Sequence, residues 1–220
     1  LSGMTLAAVI FGITLSTLHQ SGLGALYLMA RDKIHPLWYS EFIPILFFVS
    51  SIFAGLSMVI FEGSISRRVF FDQISEKDHH AHNGILHGLS RICAMTMLVY
   101  FALQVVVLAH GKNWNLLQTR MGTWYLLEML GFVLLPMILF FISYRTMNIR
   151  LIKFSALWTM LGVIMNRLNV TVIGFKWDAA TPYVPSWMEI VVTLTILCVE
   201  IWIFRWIDRK STRLNSSHYS

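Results

Sequence analysis

The stretch GMTLAAVIFGITLSTLHQSGLGALYLMA, residues 3–30, decides the fold class of this chain. A bilayer core is about 30 Å thick, and about 20 apolar residues at a rise of 1.5 Å each cross it as a helix. The run is therefore long enough to span a membrane. Polar side chains past its midpoint are costly at that depth and indicate a site or a pathway. They make His19, Gln20 and Ser21 the first candidate functional residues.

Composition also indicates a membrane protein. Hydrophobic residues make up 56% of the chain and charged residues 13%, whereas an average soluble domain has about 25% charged residues. The aromatic share of 14% suits interfacial belts. The net charge of +6 comes from basic residues that lie between apolar runs rather than on one patch. We therefore predict the lipid bilayer as a partner and no nucleic acid.

Six apolar runs pass the same length test, which predicts an all-α integral membrane protein with a six-transmembrane-helix bundle. They are residues 3–30, 42–61, 85–108, 124–144, 151–175 and 187–207. Residues 1–207 are treated as one transmembrane domain, because the longest connector, residues 62–84, is too short to fold alone. Its KDHHAH segment, residues 77–82, is interpreted as a solvated charged loop rather than a metal tract. No metal site and no catalytic residue is predicted.

Both ends of the chain depart from this pattern. Leu1, not Met, directly precedes a membrane helix, which predicts a truncated reading. Residues 208–220 are predicted to form a tail outside the domain. From residue 211 the tail reads STRLNSSHYS and resembles translated read-through of a sequencing adapter, so it carries no functional interpretation.

The distribution of basic residues predicts an orientation. The connectors on one side of the membrane, with adjacent positions, carry nine basic residues: Arg67, Arg68, Lys77, Arg145, Arg150, Lys153, Arg205, Arg209 and Lys210. The connectors on the opposite side carry five basic residues: Arg31, Lys33, Lys112, Arg120 and Lys176. The positive-inside rule places the first side in the cytoplasm. His19 lies 16 residues beyond Gly3, about 24 Å along the axis, and so falls in the outer half of the membrane.

Ionisable residues inside the runs form two groups, each with both signs of charge. The outer group is His19, Glu128, Arg167 and Glu189, and the inner group is Glu62, Arg91 and Glu200. Asn166 and Asn169 lie beside Arg167 and add more polarity than simple packing needs. Intramembrane charges usually face the bundle interior and pair with one another. We predict that Arg167 pairs with Glu128 or Glu189, and Arg91 with Glu62 or Glu200. Two interpretations stay open: a neutralised pair that fixes helix packing, or a proton path.

Histidine chemistry separates two cofactor hypotheses. Reduction of a quinone takes up two protons, and an imidazole with an unperturbed pKa near 6.5 exchanges protons readily, so His19 suits a quinone site. A haem b needs axial histidines at matching depth on facing helices. His87 and His110 lie at opposite ends of the third run and do not match the depth of His19. A bis-histidine haem is therefore disfavoured.

Several segments resemble a known family. They are LSTLHQSGLGALYLMARDKIHPLWYSEFIPILFF (residues 15–48), SMVIFEGSIS (57–66), WYLLEMLGFVLLPM (124–137), ALWTMLGVIMNRLN (156–169) and PSWMEIVVTLTILCVEI (185–201). The chain is similar to integral membrane subunits of the NrfD/polysulfide-reductase type. The likeness is greatest to the HybB-like branch, the "cytochrome b" subunits of Ni/Fe-hydrogenases.

The resemblance implies a ten-helix protein of the bacterial inner membrane, of which this chain is the C-terminal portion. Such a subunit passes electrons between a periplasmic iron–sulfur subunit and the quinone pool, and is either non-catalytic or quinone-reactive. The implied cofactor is menaquinone or ubiquinone, with no haem. Iron–sulfur clusters and the Ni–Fe centre are expected on hydrogenase-like partner subunits. His19, Gln20 and Ser21 would border the quinone pocket.

Three alternatives remain beside this reading. The first is a proton conduit through Glu128, Arg167, Glu189 and Glu200. The second is a purely structural membrane anchor. The third is a secondary transporter, for which Gly131, Pro136 and Gly162 interrupt the fourth and fifth runs but form no matched pair.

Overall fold

The computed structural model describes residues 2–69, 76–177 and 185–216, and helices dominate all three ranges. The α-helices are α1 Ser2–Leu26, α2 Ile43–Val69, α3 Glu76–His110, α4 Arg120–Leu127, α5 Leu135–Thr146, α6 Ile149–Leu168 and α7 Trp187–Ser216. Five helical spans of 25 to 28 residues in the described ranges are long and apolar enough to cross a membrane. They correspond to the first five predicted runs, with shifted boundaries. The all-α membrane prediction is confirmed, with six as an approximate count.

Two π-helical segments interrupt the regular spans. The first, Glu128–Leu134, joins α4 to α5, and the second, Asn169–Ile173, continues α6. Pro136 has no amide hydrogen, so one carbonyl in the preceding turn lacks a backbone donor. The indole Nε1 of Trp158 donates to the carbonyl of Gly131 at 2.8 Å. A neighbouring helix thus satisfies a freed backbone group, as the membrane interior requires.

Helix packing in the first unit, Leu1–Ala179, depends on small residues. In this unit α2 contacts α1, α3 and α6, while α5 contacts α3 and α6. A Cβ atom on Gly162 would lie 2.8 Å from the carbonyl oxygen of Phe132, and one on Gly24 would lie 2.9 Å from the Cα of Pro44. Small residues let backbones approach closely where lipid supplies no hydrophobic drive. Both glycines therefore set an interhelical distance.

An apolar core runs between α2, α3, α5 and α6 from Leu46 to Ile60 along α2. We call it the inner core: Leu46, Phe53, Ile60, Leu86, Cys93, Ala94, Met97, Tyr100, Phe140, Ile152 and Ala156. Small polar side chains accompany it without opening it to water. The hydroxyl of Ser57, for example, lies 3.5 Å from the sulfur of Cys93, and both residues are buried.

Hydrogen bonds join the loops at the end of the unit that contains residues 33–42, which the predicted orientation makes the outer end. The amide of His35 donates to the carbonyl of Gly174 at 2.8 Å, and the amide of Lys176 donates to the carbonyl of Lys33 at 2.6 Å. The side-chain amide of Asn113 donates to the carbonyl of Pro36 at 3.0 Å. Three separate connections are thereby fixed together, which holds the segment around Trp38 in place.

The structure corrects two predicted boundaries. The connector predicted at residues 62–84 is mostly helical, because α2 continues to Val69 and α3 begins at Glu76. A charged helix end has the same low hydropathy as a loop, so hydropathy alone did not predict these helical turns. The side chains of residues 76–82 lie outside the described part. At the other end, α7 continues to Ser216, past the predicted limit at residue 207.

The second unit, Ala180–Ser220, contains α7. The side chains of Glu189 and Glu200 are exposed. The predicted pairs that involve these two acids therefore stay predictions.

Candidate functional site

A single buried carboxylate organises the outer half of the first unit. Glu128 is 5% exposed and accepts three hydrogen bonds. One oxygen accepts from the side-chain amide of Asn166 at 2.5 Å. The other accepts from the indole of Trp38 at 2.8 Å and from the side-chain amide of Asn169 at 2.6 Å. All three partners are donors, so both carboxylate oxygens act as acceptors.

Arg167 belongs to the same arrangement. Its guanidinium donates to the hydroxyl of Ser50 at 2.7 Å and to the side-chain oxygen of Asn166 at 3.0 Å. It also lies 3.6 Å from the centre of the Phe47 ring, within the range of a cation–π contact. We call the whole set the outer polar cluster: Trp38, Ser50, Glu128, Asn166, Arg167 and Asn169.

The predicted pairing of Glu128 with Arg167 takes an indirect form. The structure brings both residues into one buried cluster, but Asn166 bridges them by donating to Glu128 and accepting from Arg167. An amide can do both because it carries a donor and an acceptor at its two ends. The two opposite charges share one cluster without contacting each other directly.

Helix geometry explains how the side chains of Asn166, Arg167 and Asn169 reach two different helical segments. Residues three apart lie on nearly the same helix face, and each residue turns the direction by about 100°. Asn166 and Asn169 therefore both reach Glu128, while Arg167 points aside to Ser50 on α2. The two π-helical segments begin at Glu128 and at Asn169 themselves. Such π-helical turns are often found at functional sites.

A second hydrogen-bonded chain lies beside the cluster. The hydroxyl of Tyr125 donates to the side-chain oxygen of Gln104 at 3.0 Å, and the Gln104 amide donates to the hydroxyl of Tyr100 at 2.9 Å. A cavity of about 20 Å³ is lined by these three residues together with Asn166 and Trp38. That volume holds one water molecule, and the polar groups around it would bind one.

The inner-group predictions find no cluster of this kind. Arg91 and Glu62 are both exposed, and the guanidinium of Arg91 lies 5.7 Å from the centre of the Tyr144 ring. The structure therefore does not bring Arg91 and Glu62 together as a buried pair. On α1, His19 is exposed, while Gln20 and Ser21 are half-buried.

Sequence reasoning missed two members of the outer polar cluster. Trp38 lies in the His-Pro-Leu-Trp segment and Ser50 in an apolar run. Their partners are 90 and 117 residues away in sequence. One signal was available for Trp38, because a buried indole needs an acceptor and the connector offers few. Ser50 gave none.

Comparison with known proteins decides the family. A family model described as polysulphide reductase, NrfD, matches residues 2–176. The chain belongs to the NrfD family. The family prediction is therefore confirmed, as is that of a multi-pass protein of the bacterial inner membrane. No solved structure matches this NrfD-family chain.

Two relatives are similar along most of the chain. A protein of Nitratidesulfovibrio vulgaris strain Hildenborough is 42% identical over 206 residues, which is 93% of this chain and 53% of that protein. The "Probable Ni/Fe-hydrogenase 2 b-type cytochrome subunit" of Escherichia coli K12 is 25% identical over 198 residues, 88% of this chain and 48% of that protein. The NrfD-family chain thus spans about half the length of the curated relatives it matches.

The name of the Escherichia coli relative corrects the prediction that the chain has no haem. The name of this relative, a b-type cytochrome subunit, implies haem and therefore contradicts the expectation of no haem. In the described residues, His87 is the one buried histidine with an unpartnered ring nitrogen. The other described histidine side chains, those of His19, His35 and His110, lie on the outer half.

Proposed function

We propose that this chain is part of the membrane subunit of a respiratory oxidoreductase that passes electrons between a periplasmic iron–sulfur subunit and the quinone pool. The family match over residues 2–176 carries the proposal, and a relative named as a hydrogenase subunit supports the type of complex. Hydrogenase-like catalytic subunits would supply the electrons, and their iron–sulfur clusters and Ni–Fe centre would stay on the partners.

The residues proposed to border the quinone are His19, Gln20 and Ser21. The first is exposed on α1, where a quinone dissolved in the bilayer can reach it. Reduction of the quinone to quinol consumes two electrons from the iron–sulfur partner and two protons. An imidazole can hydrogen-bond the quinone carbonyl and deliver one of those protons. Gln20 would add an amide donor for orientation.

Replacement of His19 by Ala in the full-length complex tests this role. If His19 delivers a proton, hydrogen-dependent quinone reduction should fall by about 100-fold or more. His19→Gln keeps a hydrogen-bond donor without a titrating group and should recover affinity but not turnover. Leu18→Ala, at the neighbouring exposed position, is the matched control. Normal turnover of His19→Ala in an assembled complex would contradict a direct role.

A second proposed function is proton exchange between Glu128 and the outer aqueous phase. The cavity beside Asn166 shares Ser40 and Val107 with a depression of about 500 Å³ at the outer surface, which Glu41 and His110 also line. A chain of water could therefore connect the cluster with the outside. Toward the inside, the buried polar side chains of Ser57, His87 and Ser90 lie beside the inner core.

Glu128→Gln tests the second function because an amide of the same shape cannot carry the proton. Proton translocation per electron would be measured in vesicles that contain the whole complex. We expect the ratio to fall in Glu128→Gln and to stay normal in Glu62→Gln, whose carboxylate is exposed. An unchanged ratio in Glu128→Gln, with normal activity in His19→Ala, would favour the structural-anchor alternative.

A further inference from the structure

A groove between α2 and α6 lies at the end of the first unit opposite to the outer polar cluster. Its volume is about 550 Å³. We call it the inner groove, and its lining consists of Phe61, Ser64, Ile65, Arg67, Lys153, Phe154 and Leu157. Two cations and four large apolar side chains thus share one surface.

The polarity of the inner groove changes along the membrane normal. Arg67 is the last residue of the span Ile43–Arg67, and Phe61 lies six residues earlier, about 9 Å deeper at the helical rise. On the antiparallel α6, Leu157 lies four residues after Lys153, about 6 Å deeper. Both helices therefore place the cation at the membrane surface and the apolar side chains toward the bilayer centre.

The two cations are positioned differently. Arg67 donates from its guanidinium to the side-chain oxygen of Asn83 at 2.8 Å, which fixes it at the groove edge. Lys153, on α6, is half-buried, so its aliphatic stem can lie along the apolar wall while the ammonium reaches the headgroup layer. A span of 25 residues is about 37 Å long, which exceeds the hydrocarbon core of about 30 Å. Arg67, at the end of its span, therefore lies at headgroup level, and Lys153, four residues inside its span, reaches that level with its side chain.

We propose that the inner groove binds an anionic phospholipid. The phosphate would lie between Arg67 and Lys153, and one acyl chain would run along Phe61 and Leu157. Basic pockets between transmembrane helices on the cytoplasmic side bind such headgroups, and the predicted orientation puts this end in the cytoplasmic leaflet. The site is separate from the quinone and proton roles proposed above.

Lipid titration of the purified full-length complex tests the site. Thermal unfolding midpoints and lipids retained in native mass spectra would be measured with dioleoyl phosphatidylglycerol, dioleoyl phosphatidylcholine and free glycerol phosphate. The variants are Lys153→Gln, which removes one charge, and Leu157→Trp, which fills the apolar part. Arg150→Gln is the matched control, because it removes an exposed cation from the same helix outside the groove.

We expect phosphatidylglycerol alone to raise the midpoint in the unmodified complex and in Arg150→Gln. One cation near the membrane surface contributes about 1 kcal/mol, so Lys153→Gln should need about fivefold more lipid. Leu157→Trp should lose the retained lipid with no change in charge. Equal titration of both variants and the unmodified complex would overturn the proposal. Equal stabilisation by glycerol phosphate would assign the site to a soluble anion, and equal stabilisation by phosphatidylcholine would remove the role of charge.

Discussion

The hydrogen bond from Trp38 to Glu128 should be one of the strongest single side-chain contacts in the first unit. Its donor and acceptor are 2.8 Å apart and both residues are buried. Hydrogen bonds to charged groups contribute about 1.5–3 kcal/mol, whereas interhelical bonds measured in membrane proteins average about 0.6 kcal/mol and reach about 1.7. We expect a coupling of about 1.5 kcal/mol, near the top of the membrane range, because a buried carboxylate is the acceptor.

A double-mutant cycle isolates this coupling from the packing that each substitution removes. The free energy of unfolding would be measured by denaturing-detergent titration, followed by helical circular dichroism, for Trp38→Phe, Glu128→Ala and the double variant. The control cycle pairs Trp158→Phe with Glu128→Ala. The Trp158 indole donates to the carbonyl of Gly131 instead, so its coupling to Glu128 should be near zero. If the two cycles give equal couplings, the outer polar cluster is not organised by Glu128.

Two other predictions concern packing and pH. Gly162→Ala should destabilise the protein by about 1–3 kcal/mol because the new methyl group would lie 2.8 Å from the Phe132 carbonyl oxygen. Gly131→Ala meets nothing within 4 Å and should be nearly neutral in the same titration, so equal losses would contradict the close approach. Burial lowers the pKa of His35 below 6.5, and its neutral Nδ1 accepts from the amide of Leu37 at 3.2 Å. The unfolded chain then binds the proton first, so stability should fall as pH drops below about 6.5. His35→Asn keeps an acceptor without titrating, and its thermal midpoint should change less between pH 7.5 and 5.5; an equal change would assign the pH dependence to another group.

Hydropathy predicted the spans well because their length is fixed by the bilayer. The first five runs all correspond to helical spans. Hydropathy failed where a helix begins with charged residues, because the start of α3 at Glu76 was interpreted as a loop. Length and apolarity do not say which way a helix is rotated, so the partners of each polar side chain stayed undetermined.

The outer polar cluster shows the same limit. Glu128, Asn166 and Arg167 were recognisable as polar residues at depth, and the structure does place them together. Direct pairing was the simplest expectation for two opposite charges. The amide bridge depends on the rotation of α6 and on Trp38, which enters from a connector 90 residues away. Neither follows from local sequence.

The π-helical segment Glu128–Leu134 has a consequence for comparing sequences within the family. A π-helical turn holds one residue more than the α-helical turn it replaces. Deleting one residue there would rotate everything after it by about 100°, which would turn Phe140 away from the inner core. The length of this segment therefore sets the rotation of Phe140 relative to Glu128 around the helix axis. Relatives in which Glu128 faces the outer polar cluster and Phe140 faces the inner core should keep the length of this segment even where its residues differ.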